Sequence, residues 1–208
     1  MPVDFFSTPC ANLTGNCELQ DVVCGVEIIS NRFGISDEDS NSRLPAKVLL
    51  DNEERWDFTV TNPDPENKPT SFKAVDFCID IFRTGTYSLE NENRESSEFR
   101  SAHTNLADRG LIKRCEGFLR YEGKILFIEI KNRPKGNWLK DAREKFEETI
   151  LSFKEHHPNY SAHLLNPIVS NKMFNRVHQN EMVQKKILKE KVGLELKIQT
   201  SYTIPNAT

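Results

Sequence analysis

The stretch Lys124-Ile125-Leu126-Phe127-Ile128-Glu129-Ile130-Lys131 decides the reading of this chain. Its apolar run follows the turn-forming Tyr121-Glu122-Gly123-Lys124 and reads as a central strand buried on both faces. Such a strand excludes charge unless the charge is paired or holds a metal. Glu129 and Lys131 lie two residues apart, so they project from the same face at the polar end of the strand. On an exposed strand a Glu-x-Lys is an ion pair contributing less than about 1 kcal/mol. On a buried one it points to a site.

Working upstream, Cys115 to Tyr121 reads as the partner strand of a hairpin. Glu116, thirteen residues before Glu129, is brought alongside it. Phosphodiester hydrolysis needs a hard divalent cation held by carboxylates, a positioned water and a positive group beside the developing charge. Glu116 and Glu129 can supply the first and Lys131 the last. Downstream, Pro134-Lys135-Gly136-Asn137 forms a turn in which Asn137 can cap a helix. Trp138, Ala142, Phe146, Ile150 and Phe153 then recur at helical spacing and read as core. Ala162 to Leu165 reads as a further buried strand, with Asn166-Pro167 turning the chain after it. A second helix is expected over Glu181 to Val192, stopped by Gly193 and followed by alternating Leu194, Leu196 and Ile198.

Nearer the N-terminus, a short strand around Val22 to Ile29 precedes the polar loop Ser36 to Ser42. Trp56, Phe58 and Val60 alternate as a half-buried strand. Asn62 to Pro69 breaks it, and Phe72 to Phe82 follows as a second strand, the two forming a hairpin. On that second strand Val75, Phe77, Ile79 and Ile81 share one face, and Ala74, Asp76, Cys78 and Asp80 the other. Residues 83–110 read as a polar insertion.

The segment Lys113-Arg114-Cys115-Glu116-Gly117-Phe118-Leu119, followed by Ile125 to Lys131, resembles the PD-(D/E)xK nuclease superfamily. The order of elements matches as well: an acid-bearing hairpin with Glu-x-Lys, an amphipathic helix, then another strand. The resemblance covers roughly residues 72–170. It implies an α/β (α+β) fold with a restriction-endonuclease-like core, a central mixed sheet flanked by helices, over 71–208. A β-rich extension, residues 1–70, would pack on that core. It further implies that Glu116 and Glu129 bind Mg²⁺ or Mn²⁺, with Asp76 or Asp80 as a further acid, and that Lys131 orients or helps deprotonate the attacking water. Glu116 departs from the usual aspartate, which moves the carboxylate by about one C–C bond. Some similar nucleases place a polar side chain on the following helix beside the site. Lys145 takes that slot here, with a solvated lysine as the favoured alternative.

The implied activity is that of a Mg²⁺-dependent endodeoxyribonuclease, with DNA preferred over RNA. It would act as a subunit of a DNA-maintenance or antiviral, foreign-DNA defence system, because no separate sequence-reading domain is visible. The alternative is a nuclease-like subunit without catalysis, in a protein complex or a homo-oligomer. No Gly-rich phosphate loop or Gly-x-Ser-x-Gly elbow supports a small-molecule enzyme. Charge is unevenly divided. Residues 1–110 carry 10 Lys+Arg against 20 Asp+Glu, and residues 111–208 carry 18 against 11, within a net charge of −3. The basic half, with Lys185, Lys186, Lys189 and Lys191 on one predicted helix, can meet a phosphate backbone or simply be a solvated face. Five cysteines without Cys-x-x-Cys spacing read as free thiols rather than a zinc site, and no histidine has a nucleophilic partner. No apolar run approaches the roughly 20 residues of a membrane span. Met1 to Phe6 lacks the features of a secretory signal, so the cytoplasm is the expected compartment.

Overall fold

The structure, a computed structural model, describes residues 3–7, 27–37, 44–81, 111–133, 136–173 and 180–206. In chain order its strands are β1 (Glu27–Ile28), β2 (Arg32–Ser36), β3 (Lys47–Leu49), β4 (Phe58–Thr61), β5 (Thr70–Ala74), β6 (Gly117–Tyr121), β7 (Lys124–Ile130), β8 (Ile168–Ser170), β9 (Lys197–Ile198) and β10 (Ser201–Thr203). Two α-helices are described, α1 (Trp138–His156) and α2 (Glu181–Val192). The chain is α+β with two mixed sheets, ordered β1-β5-β6-β7-β8-β9 and β10-β4-β2-β3.

The hairpin β6–β7 is the centre of the larger sheet. Glu122 (φ 45°) and Gly123 (φ 73°) both take positive φ, as a two-residue turn matched to strand twist requires. Gly117 pairs with Ile128 and Phe118 with Phe127. β5 and β6 are antiparallel, whereas β8 joins β7 in parallel. A parallel neighbour needs a long crossover, and α1 supplies it. Its buried face, Trp138, Leu139, Ala142, Phe146, Ile150 and Phe153, packs on the sheet. The Phe153 ring lies 5.4 Å from Phe127 and 6.2 Å from Phe118, centroid to centroid.

The smaller sheet takes three strands from the first 70 residues, and β10, from the C-terminal end, closes it parallel to β4. β1 instead pairs with β5 in the larger sheet.

Three expectations are corrected. β4 and β5 belong to different sheets and form no hairpin. The strand expected over Phe72 to Phe82 ends at Ala74, where Val75 O accepts from both Cys78 N and Ile79 N, at 3.1 and 2.9 Å. Phe77 adopts φ 60° in this turn. The alternating apolar residues mimicked a strand, but Val75, Ile79 and Ile81 fill the core from a turn and the extended segment after it. The strand expected at Ala162 to Leu165 is displaced as well. Pro158–His163 is a 3-10 helix, Leu164 makes one bridge to Ile125, and the ladder of β8 begins after Pro167. Proline has no N–H to give a ladder, so the strand starts beyond it. Asn137 stands at the N-cap of α1, yet its side chain makes no capping hydrogen bond. α2 ends at Gly193 with φ 78°, as expected, but only Lys197–Ile198 of the alternating tail is strand. The polar insertion at 83–110 and Cys10, Cys17 and Cys24 lie outside the described residues, as does most of the Val22–Ile29 segment.

Gly117 is required by close approach, since a Cβ there would stand 2.5 Å from Lys73 O and 2.6 Å from the Phe72 ring. Gly117→Ala is expected to destabilise the fold by about 1–3 kcal/mol, measured by denaturant unfolding, because β5 must move off β6. The N-terminal segment 3–7 docks against the end of α1, where Phe5 N donates to His157 Nε2 at 3.1 Å. Burial lowers the His157 pKa from its usual 6.5, with Asp4 opposing and His156 assisting. A histidine whose folded value is depressed contributes fully above the unfolded value and loses that contribution as pH falls below it. Amide exchange at Phe5 is therefore expected to accelerate relative to the β6–β7 amides as pH is lowered from 7.5 to 5.5. An unchanged protection ratio would sink this reading.

Candidate active site

Every fourth residue along one ridge of α1 meets the larger sheet, and the ridge changes chemistry along its length. Phe153 covers the Phe118–Phe127 pair. One turn earlier, Thr149 Oγ1 accepts from Cys115 N at 2.9 Å. A turn before that, Lys145 reaches the acids at the sheet's polar end. Asp141 then meets Lys131, with Oδ2 2.7 Å from Nζ. Positions four apart on a helix lie on one face, so the apolar packing that seats Phe153 also aims Lys145 and Asp141.

The acids come from three places in the sheet. Continuing the β6–β7 register sets Glu116 opposite Glu129, and Glu116 N donates to Glu129 Oε2 at 3.1 Å. Asp76 enters from the turn after β5. Lys145 Nζ lies 3.1 Å from Asp76 Oδ2, 3.2 Å from Glu116 Oε1 and 3.1 Å from Glu129 Oε1. Lys131 Nζ touches the same Glu129 oxygen at 2.7 Å. Behind the cluster, Arg114 spans two acids, with Nη2 3.3 Å from Asp76 Oδ1 and Nη1 2.8 Å from Asp80 Oδ1. Its Nη1 also donates to Ile79 O at 2.9 Å, fixing the turn that carries Asp76.

Glu129 is fully buried and Glu116 nearly so. Burial pushes the Glu116 carboxyl well above its ordinary range; Lys145 opposes the rise, and Glu129, Asp76 and Asp37 add to it. Asp76 is buried too, which raises it, but Lys145 and Arg114 together hold it below the usual aspartate range. Both lysines are raised despite burial, Lys145 chiefly by Glu129, Glu116 and Asp76, and Lys131 chiefly by Glu129. Burial and the two glutamates push the Cys115 thiol up, with Thr149 and Lys145 opposing.

The smaller sheet forms one wall of the site. Asp57, just before β4, accepts from Ser36 Oγ and Asp37 N, each at 2.9 Å, and from Asn132 Nδ2 at 2.9 Å beside Lys131. This ties the end of β2 to the end of β7. Asp37 is raised to about 6 by burial and by Glu129, Asp57 and Asp76, with Lys145 opposing.

The structure brings Glu116, Glu129, Lys131 and Asp76 together, while Asp80 faces Arg114. Lys145 is not a solvated lysine. Its side chain is 17% exposed and stands inside the acid cluster, so it is not presented to a nucleic-acid backbone either. Lys185 and Lys186 pair along their own helix with Glu181 and Glu190, and Lys186 is 77% exposed. Lys189 is exposed on the same helix. Arg114, Asp141, Thr149, Asp37 and Asp57 escaped the sequence reading. Asp141, Lys145 and Thr149 carried a signal, polar residues spaced by four in register with Phe153. Asp37 and Asp57 carried none, because only the pairing of two sheets brings them near.

The donor set suits a hard cation, being three carboxylates and no sulfur or imidazole. Glu129 Oε1 is buried and is met by two ammonium groups, Lys131 at 2.7 Å and Lys145 at 3.1 Å. Among the described residues no group of three or more His, Cys, Asp and Glu side chains stands at metal-binding geometry. The oxygens lie 3.1–3.2 Å from the Lys145 nitrogen at their focus, whereas Mg–O bonds are about 2.0–2.1 Å. Holding such an ion on Asp76, Glu116 and Glu129 would require each carboxylate to close in by about 1 Å and the Lys145 ammonium to leave their focus.

Arg114→Met removes the buried guanidinium that bridges Asp76 and Asp80, leaving Asp76 with Lys145 as its cation, and is expected to cost about 3–5 kcal/mol in denaturant unfolding. Adding Asp80→Asn should recover part of that loss; a cost under 1 kcal/mol for Arg114→Met, on the scale of an exposed pair, would show that the fork is not structural. Among the described residues no helix is long and apolar enough to cross a membrane. Comparison of the chain with family models, with curated proteins and with solved structures gives no match.

Proposed function

We propose that the chain is a metal-dependent nuclease on a PD-(D/E)xK-type, restriction-endonuclease-like core, hydrolysing phosphodiester bonds in DNA within a DNA-maintenance or foreign-DNA defence system. The observation that carries this reading is the convergence of Asp76, Glu116 and Glu129 on one cationic centre with Lys131 against Glu129. The order of antiparallel hairpin, crossover helix and parallel strand supports it.

In this reading Asp76, Glu116 and Glu129 hold Mg²⁺ or Mn²⁺. The bound ion would polarise the phosphate and lower the pKa of its water. Lys131 is clamped between Glu129 and Asp141, and its raised pKa keeps it protonated at neutral pH. It therefore serves as a fixed positive charge and hydrogen-bond donor to the water or phosphate oxygen, and is poorly suited to act as a base. Asp141 positions it.

A second reading is favoured by Lys145, whose ammonium already stands among the three carboxylates, with Lys131 on Glu129 and Arg114 on Asp76 supplying the remaining positive charge. In that reading the ion pair is the final state and the chain is a nuclease-like structural or interaction subunit without catalysis.

Purified protein with Mg²⁺ or Mn²⁺ is expected to cleave DNA, assayed on single- and double-stranded substrates with RNA in parallel. Glu129→Ala and Lys131→Ala should each reduce the rate by at least about 10². The exposed Lys186→Ala should not. No cleavage of any substrate, or equal cleavage by the Glu129 and Lys131 variants, removes the nuclease reading and leaves the second.

A further inference from the structure

We infer that Lys145 is a built-in counter-cation that keeps the three-carboxylate site closed to divalent metal, so that metal enters only as this ammonium withdraws. The inference rests on the metal-site part of the proposed function and names how that site is controlled.

Three carboxylates from three segments, the turn after β5, the start of β6 and the end of β7, meet at one nitrogen within 3.1–3.2 Å. An ion bound to those same oxygens would overlap the ammonium in space and repel it in charge. The two cations thus exclude one another. Without either, the buried Glu116 would lose the cation beside it, and Glu129 and Asp76 would keep only Lys131 and Arg114, a costly arrangement for three gathered acids. Lys145 is consequently the group that lets the metal-free protein fold with its ligands gathered.

The helix constrains how Lys145 can leave. Its chain neighbours on α1 include the fully buried Ala142 and Phe146, so the backbone is held and only the side chain can move. Its side chain is 17% exposed, giving a route towards solvent. One turn back, the Asp141 carboxylate is 41% exposed and lies on the same ridge. It is an acceptor within reach of a rotated lysine. Rotation towards Asp141 would also draw on the carboxylate that clamps Lys131, coupling metal entry to the freeing of Lys131.

The test uses the full chain. Mn²⁺ binding is measured by calorimetry, and thermal unfolding is followed in EDTA and in saturating Mn²⁺, for the wild type, Lys145→Met and Lys145→Arg. Lys145→Met is expected to melt below the wild type in EDTA, to bind Mn²⁺ at least tenfold more tightly, and to gain more in melting temperature from Mn²⁺. Lys145→Arg keeps the charge and should bind Mn²⁺ no more tightly than the wild type. If Lys145→Met does not fold without metal, Glu116→Gln is compared with Glu116→Gln/Lys145→Met, and the double variant should again bind at least tenfold more tightly. Equal or weaker Mn²⁺ binding on loss of the lysine, in whichever background folds, overturns the inference. Tighter binding by the methionine variant with no cleavage by the wild type would remove the nuclease reading and leave this inference in place. Cleavage by the wild type with unchanged Mn²⁺ affinity in the variant would do the reverse.

Discussion

Carboxyl groups buried together need cations beside them, and here Asp76, Glu116 and Glu129 share the ammonium of Lys145. Much else in the fold serves that meeting. The Phe118–Phe127 pair and Phe153 set the height of α1 on the sheet. Thr149 holds the start of β6 against the helix through Cys115 N. Arg114 holds the turn after β5 so that Asp76 faces inwards. Apolar contact brings the helix down, and the polar contacts determine which atoms then touch.

The same ion network separates the roles of the two lysines. Lys145 answers three acids. Lys131 answers Glu129 inside and the half-exposed Asp141 outside. Its retained proton suits the stabilisation of negative charge better than proton abstraction.

The smaller sheet does more than cover apolar surface. Through Asp57 it grips Ser36, Asp37 and Asn132, which fixes one wall of the site to the end of the strand that carries Glu129. Ser170 Oγ adds a 2.6 Å hydrogen bond to Asp57 O from β8. A perturbed aspartate, Asp37, stands at this junction, as is common where carboxylates are gathered for chemistry.

The sequence by itself determined the hairpin β6–β7, the helix over Trp138 to His156, and the convergence of Glu116, Glu129 and Lys131 on one face. These follow from local rules: alternation of side chains on strands, a turn of positive-φ residues, and a helical apolar stripe. The strand expected through Phe72 to Phe82 was misread because alternating apolar residues can be buried from a turn when the surrounding core receives them. Asp76 therefore reaches the site by way of a turn and not from a strand face. Only the tertiary structure decided that Lys145 is an internal cation, since the spacing of a lysine on a helix cannot tell whether its outward reach ends in water or in a cluster of acids. It also decided the contribution of Asp37 and Asp57. Their approach depends on two sheets meeting, a contact between distant parts of the chain on which local pattern is silent.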